Sequence, residues 1–201
     1  MATVGQLREP DTSELRYLRG VLFDNATIQR RAAQAVTELK ASFGRVDVLV
    51  CIMTGARHWA DLIARRLPDA NRVNCSVSFY RSGDFSLRSD GVLERLNLEG
   101  KRVLVLEDVV GTGRTLHYVL TTLRRSEAAA VGVCPLLNNP SIRAERFRDL
   151  DKLCHGTGFV VDSGEFVCGY GIRGMAPAPS SLRELRDIYL THPPTSLTHT
   201  D

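Results

Sequence analysis

Two continuous apolar runs, each followed by a turn and an amphipathic segment, constrain the fold most strongly. They are "VDVLVCIM" at residues 46–53 and "KRVLVLED" at residues 101–108, and the segments behind them are "RHWADLIARRL" and "RTLHYVLTTLRR". A strand that is buried on both faces has a continuous apolar run, whereas a half-exposed strand alternates. The repeated order of strand, loop and helix therefore predicts the α/β class, with a mostly parallel twisted sheet flanked by helices.

Further segments extend this pattern along the chain. "RGVLF" predicts an early strand, and a helix is expected after Asp24 and Asn25, through "ATIQRRAAQAVTELKASF", with its end at Gly44. "VNCSVSFYR" and "AAVGVCPLL" predict two more strands. The polar segment 82–99, which lies between the first of these and the second apolar run, predicts a flexible excursion. The glycine-rich "TGFVVDSGEFVCGYGIRG" indicates short strands, and "MAPAPSS" behind it cannot form regular helix or central strand.

Composition limits the size and the surroundings of the fold. A chain of 201 residues suits one well-packed domain, and no apolar run approaches the length of a membrane span. The net charge of +3 comes from scattered lysines and arginines, and no basic cluster interleaved with aromatics supports nucleic-acid binding. The beginning, "MATVGQLREPDTSELRYLRG", lacks an apolar leader core and contains acids, which predicts a cytoplasmic location; a short organellar leader stays open.

The five cysteines occur mostly inside apolar runs, and they form no Cys-x-x-Cys pair. No cysteine and histidine cluster has the spacing of metal ligands. We therefore interpret them as reduced, mostly buried thiols.

The stretch "VLVLEDVVGTGRTL", residues 103–116, predicts an anion site at the end of a strand. Ligands of parallel sheets bind beyond the carboxyl ends of the strands, and a helix start presents unpaired N–H groups. Gly111 and Gly113 would let the backbone close around a phosphate, and Thr112 and Thr115 add hydroxyl donors. The loop matches neither a Walker A loop nor a dinucleotide fingerprint, because Leu116 stands where the third glycine of the latter is needed.

Two acids, Glu107 and Asp108, precede this loop directly. A carboxylate accepts hydrogen bonds and a ribose diol donates two, so the acids suit the hydroxyls of a sugar phosphate whose phosphate lies in the loop. The alternative is a solvated pair of acids at a strand end, followed by an ordinary turn.

The same stretch resembles the phosphoribosyl pyrophosphate signature of type I phosphoribosyltransferases, in which apolar residues lead to two acids and then a T-G-x-T loop. The order of "VLF", "IQRRAAQAV", "HWADL", "FVCGYGI" and "LREL" around it resembles the hypoxanthine-guanine (6-oxopurine) branch, over about residues 17–188. The resemblance implies a single domain over 1–201, with a core at about 36–160, a small hood formed by N- and C-terminal segments (about 17–24 and 160–190), and a lid at 82–99.

The resemblance also implies roles for particular residues. Phe166 would stack on the purine, the Val167 backbone would contact the base edge, and Asn139 stands where a lysine reads the 6-oxo group. The alternative for Phe166 is a core aromatic in a short strand. The ribose and phosphate group would comprise Glu107, Asp108, Gly111, Thr112, Gly113, Arg114 and Thr115. The pyrophosphate group would comprise Thr54, Gly55, Arg57 and Arg183.

The implied activity is purine salvage, in which a purine nitrogen displaces pyrophosphate from C1 of phosphoribosyl pyrophosphate to give IMP or GMP. Mg²⁺ would accompany the leaving group. The implied partners are phosphoribosyl pyrophosphate and a purine base or nucleotide, together with further copies of the chain or a protein partner.

Several positions depart from the pattern of the family. Gly111 stands where an aspartate serves as general base near purine N7, and Arg173 stands where an aspartate holds the second magnesium, which leaves any protein ligand of the metal unknown. Met53 replaces the lysine of the pyrophosphate loop, for which Arg57 is a substitute, and Asp84-Phe85 replaces a Ser-Tyr pair of the lid. Two hypotheses follow: a phosphoribosyltransferase with weakened or altered activity, and a catalytically inactive relative that acts as a nucleotide-binding, scaffold or regulatory protein.

Overall fold

The structure, a computed structural model, describes residues 6–82, 84–161, 166–174 and 178–193, with the backbone alone described over 78–82 and 84–87. The chain divides into two compact units. One unit spans 31–163, and the other combines 1–30 with 164–201. The assignment of these segments to a core and a hood stays a prediction.

The larger unit is built on a six-stranded sheet with the order β4-β3-β2-β5-β6-β7. Every neighbouring pair runs parallel except β3 and β4, which are antiparallel. The mostly parallel α/β sheet predicted from the apolar runs is thereby confirmed. The strands are β2 (Val48–Met53), β3 (Asn71–Ser82), β4 (Asp84–Ser89), β5 (Arg102–Val110), β6 (Ala130–Asn138) and β7 (Phe159–Val160).

In the described part of the chain, three helices follow strands: α1 (Asn25–Ser42), α2 (Arg57–Ala64) and α3 (Arg114–Arg124). The predicted start of α1 is confirmed, because the Asp24 carboxylate accepts a hydrogen bond of 2.6 Å from the Thr27 amide. Gly44 follows the helix with φ +83°, and its N–H donates to the Leu39 carbonyl at 3.2 Å. This left-handed residue satisfies a free carbonyl of the last turn, which is the usual reason for glycine at a helix end.

The core explains the continuous apolar runs of β2 and β5. Both strands lie in the middle of the sheet, and Leu49, Val50, Leu104 and Val105 have no exposed surface. Each such side chain contributes about 1.5–3 kcal/mol through removal from water. The part of α3 that packs on the sheet consists of Leu116, Val119, Leu120 and Leu123, at the spacing of one helix face.

The five cysteines are all described, and none is disulfide-bonded. Four are buried and Cys154 is half-buried. Burial raises the pKa of each thiol to about 11 or about 12. The prediction that most of the thiols are buried is confirmed, and their reduced state stays a prediction.

The order of the strands reverses direction between β2 and β5. From β2 the chain adds β3 on one side, and from β5 it adds β6 on the opposite side. The loops that leave the carboxyl ends of β2 and β5 both lie at this reversal, which is where open α/β sheets bind their ligands.

The smaller unit contains a three-stranded antiparallel sheet with the order β1-β9-β8. Its strands are β1 (Leu18–Phe23), β8 (Phe166–Cys168) and β9 (Ile188–Thr191). Cys168, Leu182, Leu185 and Tyr189 form its apolar cluster. The buried Glu14 carboxylate accepts hydrogen bonds from the Arg8 guanidinium at 2.7 and 2.8 Å.

The segment 82–99 is more regular than the sequence indicates. Residues 84–89 form β4 against β3, and a 3-10 turn at Leu93–Arg95 follows, in which Leu93 is buried. Residues 84–89 have regular structure in spite of their polar composition, because they pair with β3, and the flexibility expected of the segment stays a prediction. The role of the segment as a lid stays a prediction. Among the described residues, no helix is both long enough and apolar enough to span a membrane.

Candidate functional site

The loop between β5 and α3 is shaped to receive an anion. Helix α3 begins after Gly113, which has φ +90°, and no side chain of the described residues caps the helix start. The first N–H groups of α3 are thus available to an anion, which the positive end of the helix dipole would also attract. A side chain at Gly113 would be strained by the backbone, and its Cβ would lie 2.9 Å from Leu150 Cδ1. Glycine is therefore required at position 113.

A cavity of about 230 Å³ lies at this loop, lined by Glu107 and residues 109–116. The predicted ribose and phosphate residues from Gly111 to Thr115 are all among its lining residues. The structure thus brings one of the two predicted acids together with the whole predicted phosphate loop. The cavity suits part of a small ligand, since sites for whole ligands are usually larger.

Glu107 is buried, with 5% of its surface exposed, and its Oε2 atom has no hydrogen-bond partner among the described residues. Burial raises the pKa of this carboxyl well above its ordinary value, and the charge of Asp108 raises it further, while Arg143 opposes the change. A buried acceptor without a donor is costly, so a ligand that brings hydroxyl groups would satisfy it.

Asp108 contacts the loop that follows β2. A Cβ atom on Gly55 would lie 1.8 Å from Oδ2 and 2.4 Å from Cγ of Asp108. Only a glycine admits the carboxylate at this position. The contact joins the predicted pyrophosphate loop, in which the Met53-Thr54 peptide bond is cis, to the predicted ribose-binding acids. Both loops lie at the reversal of strand order between β2 and β5.

Arg57 is the first residue of α2, and its Nη1 atom is buried without a hydrogen-bond partner among the described residues. An unpartnered guanidinium N–H behind the loop 53–56 suits a phosphate oxygen, to which arginine can donate strong charge-assisted hydrogen bonds. The use of Arg57 in place of the family's lysine, whose position Met53 occupies, stays a prediction. The same loop holds Thr54, which is exposed.

Asn139, the predicted reader of the purine 6-oxo group, is buried at the end of β6 with 5% of its surface exposed. Its Oδ1 accepts a hydrogen bond of 2.6 Å from the Ser141 hydroxyl. This bond orients the amide by occupying its oxygen. A role in reading the base stays a prediction.

Arg143 is a residue at the site that sequence reasoning did not identify. Only 1% of its side chain is exposed, and Nη2 lies 3.0 Å from an Asp151 oxygen and donates to Asn138. Its Nε and Nη1 atoms have no partner among the described residues. Nothing in "SIRAERFRDL" distinguishes Arg143 from Arg146 and Arg148, both exposed, because arginines are usually at the surface.

The remaining predicted residues belong to the smaller unit and are described there alone. Phe166 and Val167 lie in β8 and are half-buried, and Val167 pairs with Leu190 of β9. Arg173 is exposed, and Arg183 lies half-buried in a 3-10 turn at Ser180–Glu184. The roles predicted for these residues stay predictions.

No group of three or more histidine, cysteine, aspartate or glutamate side chains suited to a metal occurs in the described part of the chain. Mg²⁺ usually keeps several waters and is held by one or two carboxylates together with substrate phosphates. The described residues thus form no metal cage of their own.

Comparison with known proteins identifies the class to which this fold and site belong. The model of the phosphoribosyl transferase domain matches residues 22–158, and the chain belongs to this family. It is a type I phosphoribosyltransferase resembling the hypoxanthine-guanine branch, as the signature around Glu107 and Asp108 indicates.

Individual relatives support the same family. The hypoxanthine phosphoribosyltransferase of Salmonella typhimurium is 31% identical over 158 residues, which are 76% of this chain and 85% of that protein. The bifunctional protein TilS/HprT of Listeria monocytogenes is 29% identical over 159 residues; the match takes in 77% of this chain but spans 24% of that relative's length. A crystal structure of a hypoxanthine phosphoribosyltransferase from Staphylococcus aureus has the same fold, with a TM-score of 0.75, 22% identity, and coverage of 96% of this chain and 100% of that one.

Proposed function

We propose that the protein binds phosphoribosyl pyrophosphate and transfers its phosphoribosyl group to a 6-oxopurine in purine salvage, with weakened activity. The observation that carries the proposal is the contact between the two loops at the reversal of strand order, where Asp108 lies against Gly55. The names of the relatives, which include a hypoxanthine phosphoribosyltransferase 31% identical to the chain, support the choice of substrate.

The chemistry that the residues offer is mainly binding and orientation. The 5-phosphate would accept hydrogen bonds from the start of α3, and Glu107 and Asp108 would accept hydrogen bonds from the ribose hydroxyls. Arg57 would donate to the departing pyrophosphate and stabilise its charge. Mg²⁺, brought with the phosphates, would neutralise the leaving group. Phe166 would stack on the base.

Slow transfer is expected because no side chain at position 111 accepts a proton from the purine. Loss of a general base costs about 10²–10⁴ in rate, which leaves a measurable reaction where positioning is retained. The purine would have to lose its proton to water, or bind as the anion that already exists in solution. Positioning alone contributes a large part of catalysis, so the proposal does not require a replacement base.

A second candidate function is nucleotide binding without catalysis, in a scaffold or regulatory role. It is favoured by one observation: Gly111 lacks a side chain, and Ile142 Cδ1 lies 3.2 Å from the position of its missing Cβ. An apolar side chain beside this position offers no proton acceptor.

A steady-state assay separates the two candidates. Phosphoribosyl pyrophosphate and Mg²⁺ are combined with hypoxanthine, guanine or xanthine, and product is compared with that of a Glu107→Ala, Asp108→Ala double variant. Product above this control supports transfer, whereas equal rates would reject it. Calorimetry with GMP and IMP then tests binding, and an absence of heat at millimolar nucleotide would reject the nucleotide-binding candidate also.

A further inference from the structure

Gly111 and Gly113, two residues apart in the loop, are glycines for different reasons. Gly113 needs a left-handed backbone, but Gly111 is not among the residues with positive φ. The backbone conformation at 111 therefore does not itself require glycine. Among the described residues beyond its chain neighbours, a Cβ atom there would meet only Ile142 within 4 Å, at 3.2 Å from Cδ1 and 3.9 Å from Cγ1. The space beside Gly111 is occupied from outside the loop.

Ile142 is held opposite Gly111 by the segment that carries it. The Asn139 amide donates to the Val110 carbonyl at 3.0 Å, and the Ala144 amide donates to the Thr112 carbonyl at 3.2 Å. These two bonds flank Gly111 on one side and Ile142 on the other. Ile142 is nevertheless 46% exposed, so its side chain is accessible to a ligand at the loop.

Arg143, the residue after Ile142, holds the same segment in place through its buried side chain. Its side chain is buried and is bonded to Asn138 and Asp151. Because successive side chains of a turn point in different directions, burial of Arg143 leaves Ile142 at the surface of the loop. The contact with Gly111 thus follows from the way the segment 139–144 is fixed to the sheet.

We propose that Ile142 is a specificity-determining residue that takes the space of the missing side chain at position 111 and offers the ligand an apolar contact there. The proposal rests on the proposed function, in which position 111 lies near purine N7. Position 111 would then form no hydrogen bond to N7, and the ligands would be purine 5′-nucleotides whether the atom at position 7 is nitrogen or a C–H group. An ordinary nucleotide and its 7-deaza analogue would bind alike.

Calorimetry with GMP and 7-deaza-GMP tests the specificity. The unchanged protein is expected to bind the two nucleotides with affinities within about 2-fold of each other, since no hydrogen bond distinguishes them. The double variant G111D/I142A is expected to favour GMP by about 2- to 10-fold, because a carboxyl group beside N7 can share a proton with it. Preference of the unchanged protein for GMP by 5-fold or more would overturn the specificity. Absence of binding of both nucleotides would instead remove the proposed function and the specificity with it.

A cycle of thermal unfolding tests the contact without any ligand. G111D is expected to lower Tm by about 2–4 °C more in the unchanged background than in the I142A background, because the added side chain is crowded by Ile142 only in the former. V160A removes another exposed apolar side chain, 64% exposed, and is the matched control. The effect of G111D should be the same with and without V160A. An equal effect of G111D in the I142A background would overturn the steric exclusion.

Discussion

The carboxylate of Asp108 occupies the place that any side chain at Gly55 would need, with Oδ2 1.8 Å and Oδ1 3.0 Å from the position of the missing Cβ. The two residues are 53 positions apart, and they belong to the loops behind β2 and β5. Their contact sets the distance between the predicted pyrophosphate loop and the predicted ribose-binding acids. Four predictions follow from this contact and from the buried polar groups of the two units.

Gly55→Ala should displace Asp108 and weaken binding of phosphoribosyl pyrophosphate by about 10- to 100-fold, the cost of a lost hydrogen bond to a charged group. Calorimetry measures the affinity. The matched control is the double variant Gly55→Ala, Asp108→Ala, compared with Asp108→Ala alone. If alanine at 55 acts through the carboxylate, the double variant should bind no worse than the single one; a further loss would show that it acts by another route.

Glu107→Gln should stabilise the ligand-free protein, and increasingly so as pH rises. The pKa of Glu107 is raised in the fold by burial. The neutral form of Glu107 is thus the favoured one in the fold. Its contribution to the free energy of unfolding is present at low pH and is lost as pH rises through the pKa of the folded state. Glutamine keeps the neutral form at every pH. Thermal unfolding at pH 5 and pH 8 measures the difference in Tm between the variant and the unchanged protein.

The exposed Glu145, whose ion pair with Arg148 lies at the surface, provides the control for that measurement. Glu145→Gln should change Tm little at either pH, since surface pairs contribute at most about 1 kcal/mol. A gain in Tm for Glu107→Gln that is the same at pH 5 and pH 8 would contradict the assigned pKa.

Glu14→Gln in the smaller unit should have the opposite dependence on pH. Hydrogen bonds from Arg8 and Ser181 lower the pKa of Glu14 from 4.5 to about 2. A lowered pKa stabilises the fold at pH values above the ordinary pKa of the carboxyl group. This contribution is lost as pH falls through about 2. The variant should therefore unfold about 2–6 °C lower at pH 7, with a shrinking deficit below pH 4.5. Calorimetric scans at pH 7, 5 and 3 check the trend, and a constant deficit would reject it.

Trp59→Phe should destabilise the larger unit by about 1–3 kcal/mol, because it removes a buried hydrogen bond and leaves a small cavity. Trp59 has no exposed surface, and its Nε1 donates to the Cys134 carbonyl at 3.0 Å. Denaturation by urea, followed by circular dichroism, measures the free energy of unfolding. Leu104→Met, a fully buried change that keeps the volume, should cost less than about 1.5 kcal/mol. Equal losses in the two variants would show that the hydrogen bond contributes little.

Local sequence patterns determined most of the fold. Apolar runs at 46–53 and 101–108 predict β2 and β5, because a strand buried on both faces needs consecutive apolar residues. Asp24 and Gly44 predict the two ends of α1, because helix capping depends on residues adjacent to the helix. The loop after β5 was also predictable, since an anion site at a helix start uses consecutive residues. Strand β4 was missed, because the pairing that orders it comes from β3 and not from its own composition.

Contacts between distant segments were decided only by the tertiary structure. The closeness of Gly55 to Asp108, the burial of Arg143 and the position of Ile142 over Gly111 depend on which loops the order of the strands brings together. The order of the strands is set by the packing of the whole sheet, so the residues next to a given position in the sequence do not indicate it. The sequence by itself therefore determined most of the elements and the predicted phosphate loop, while the fold decided which side chain lies beside Gly111.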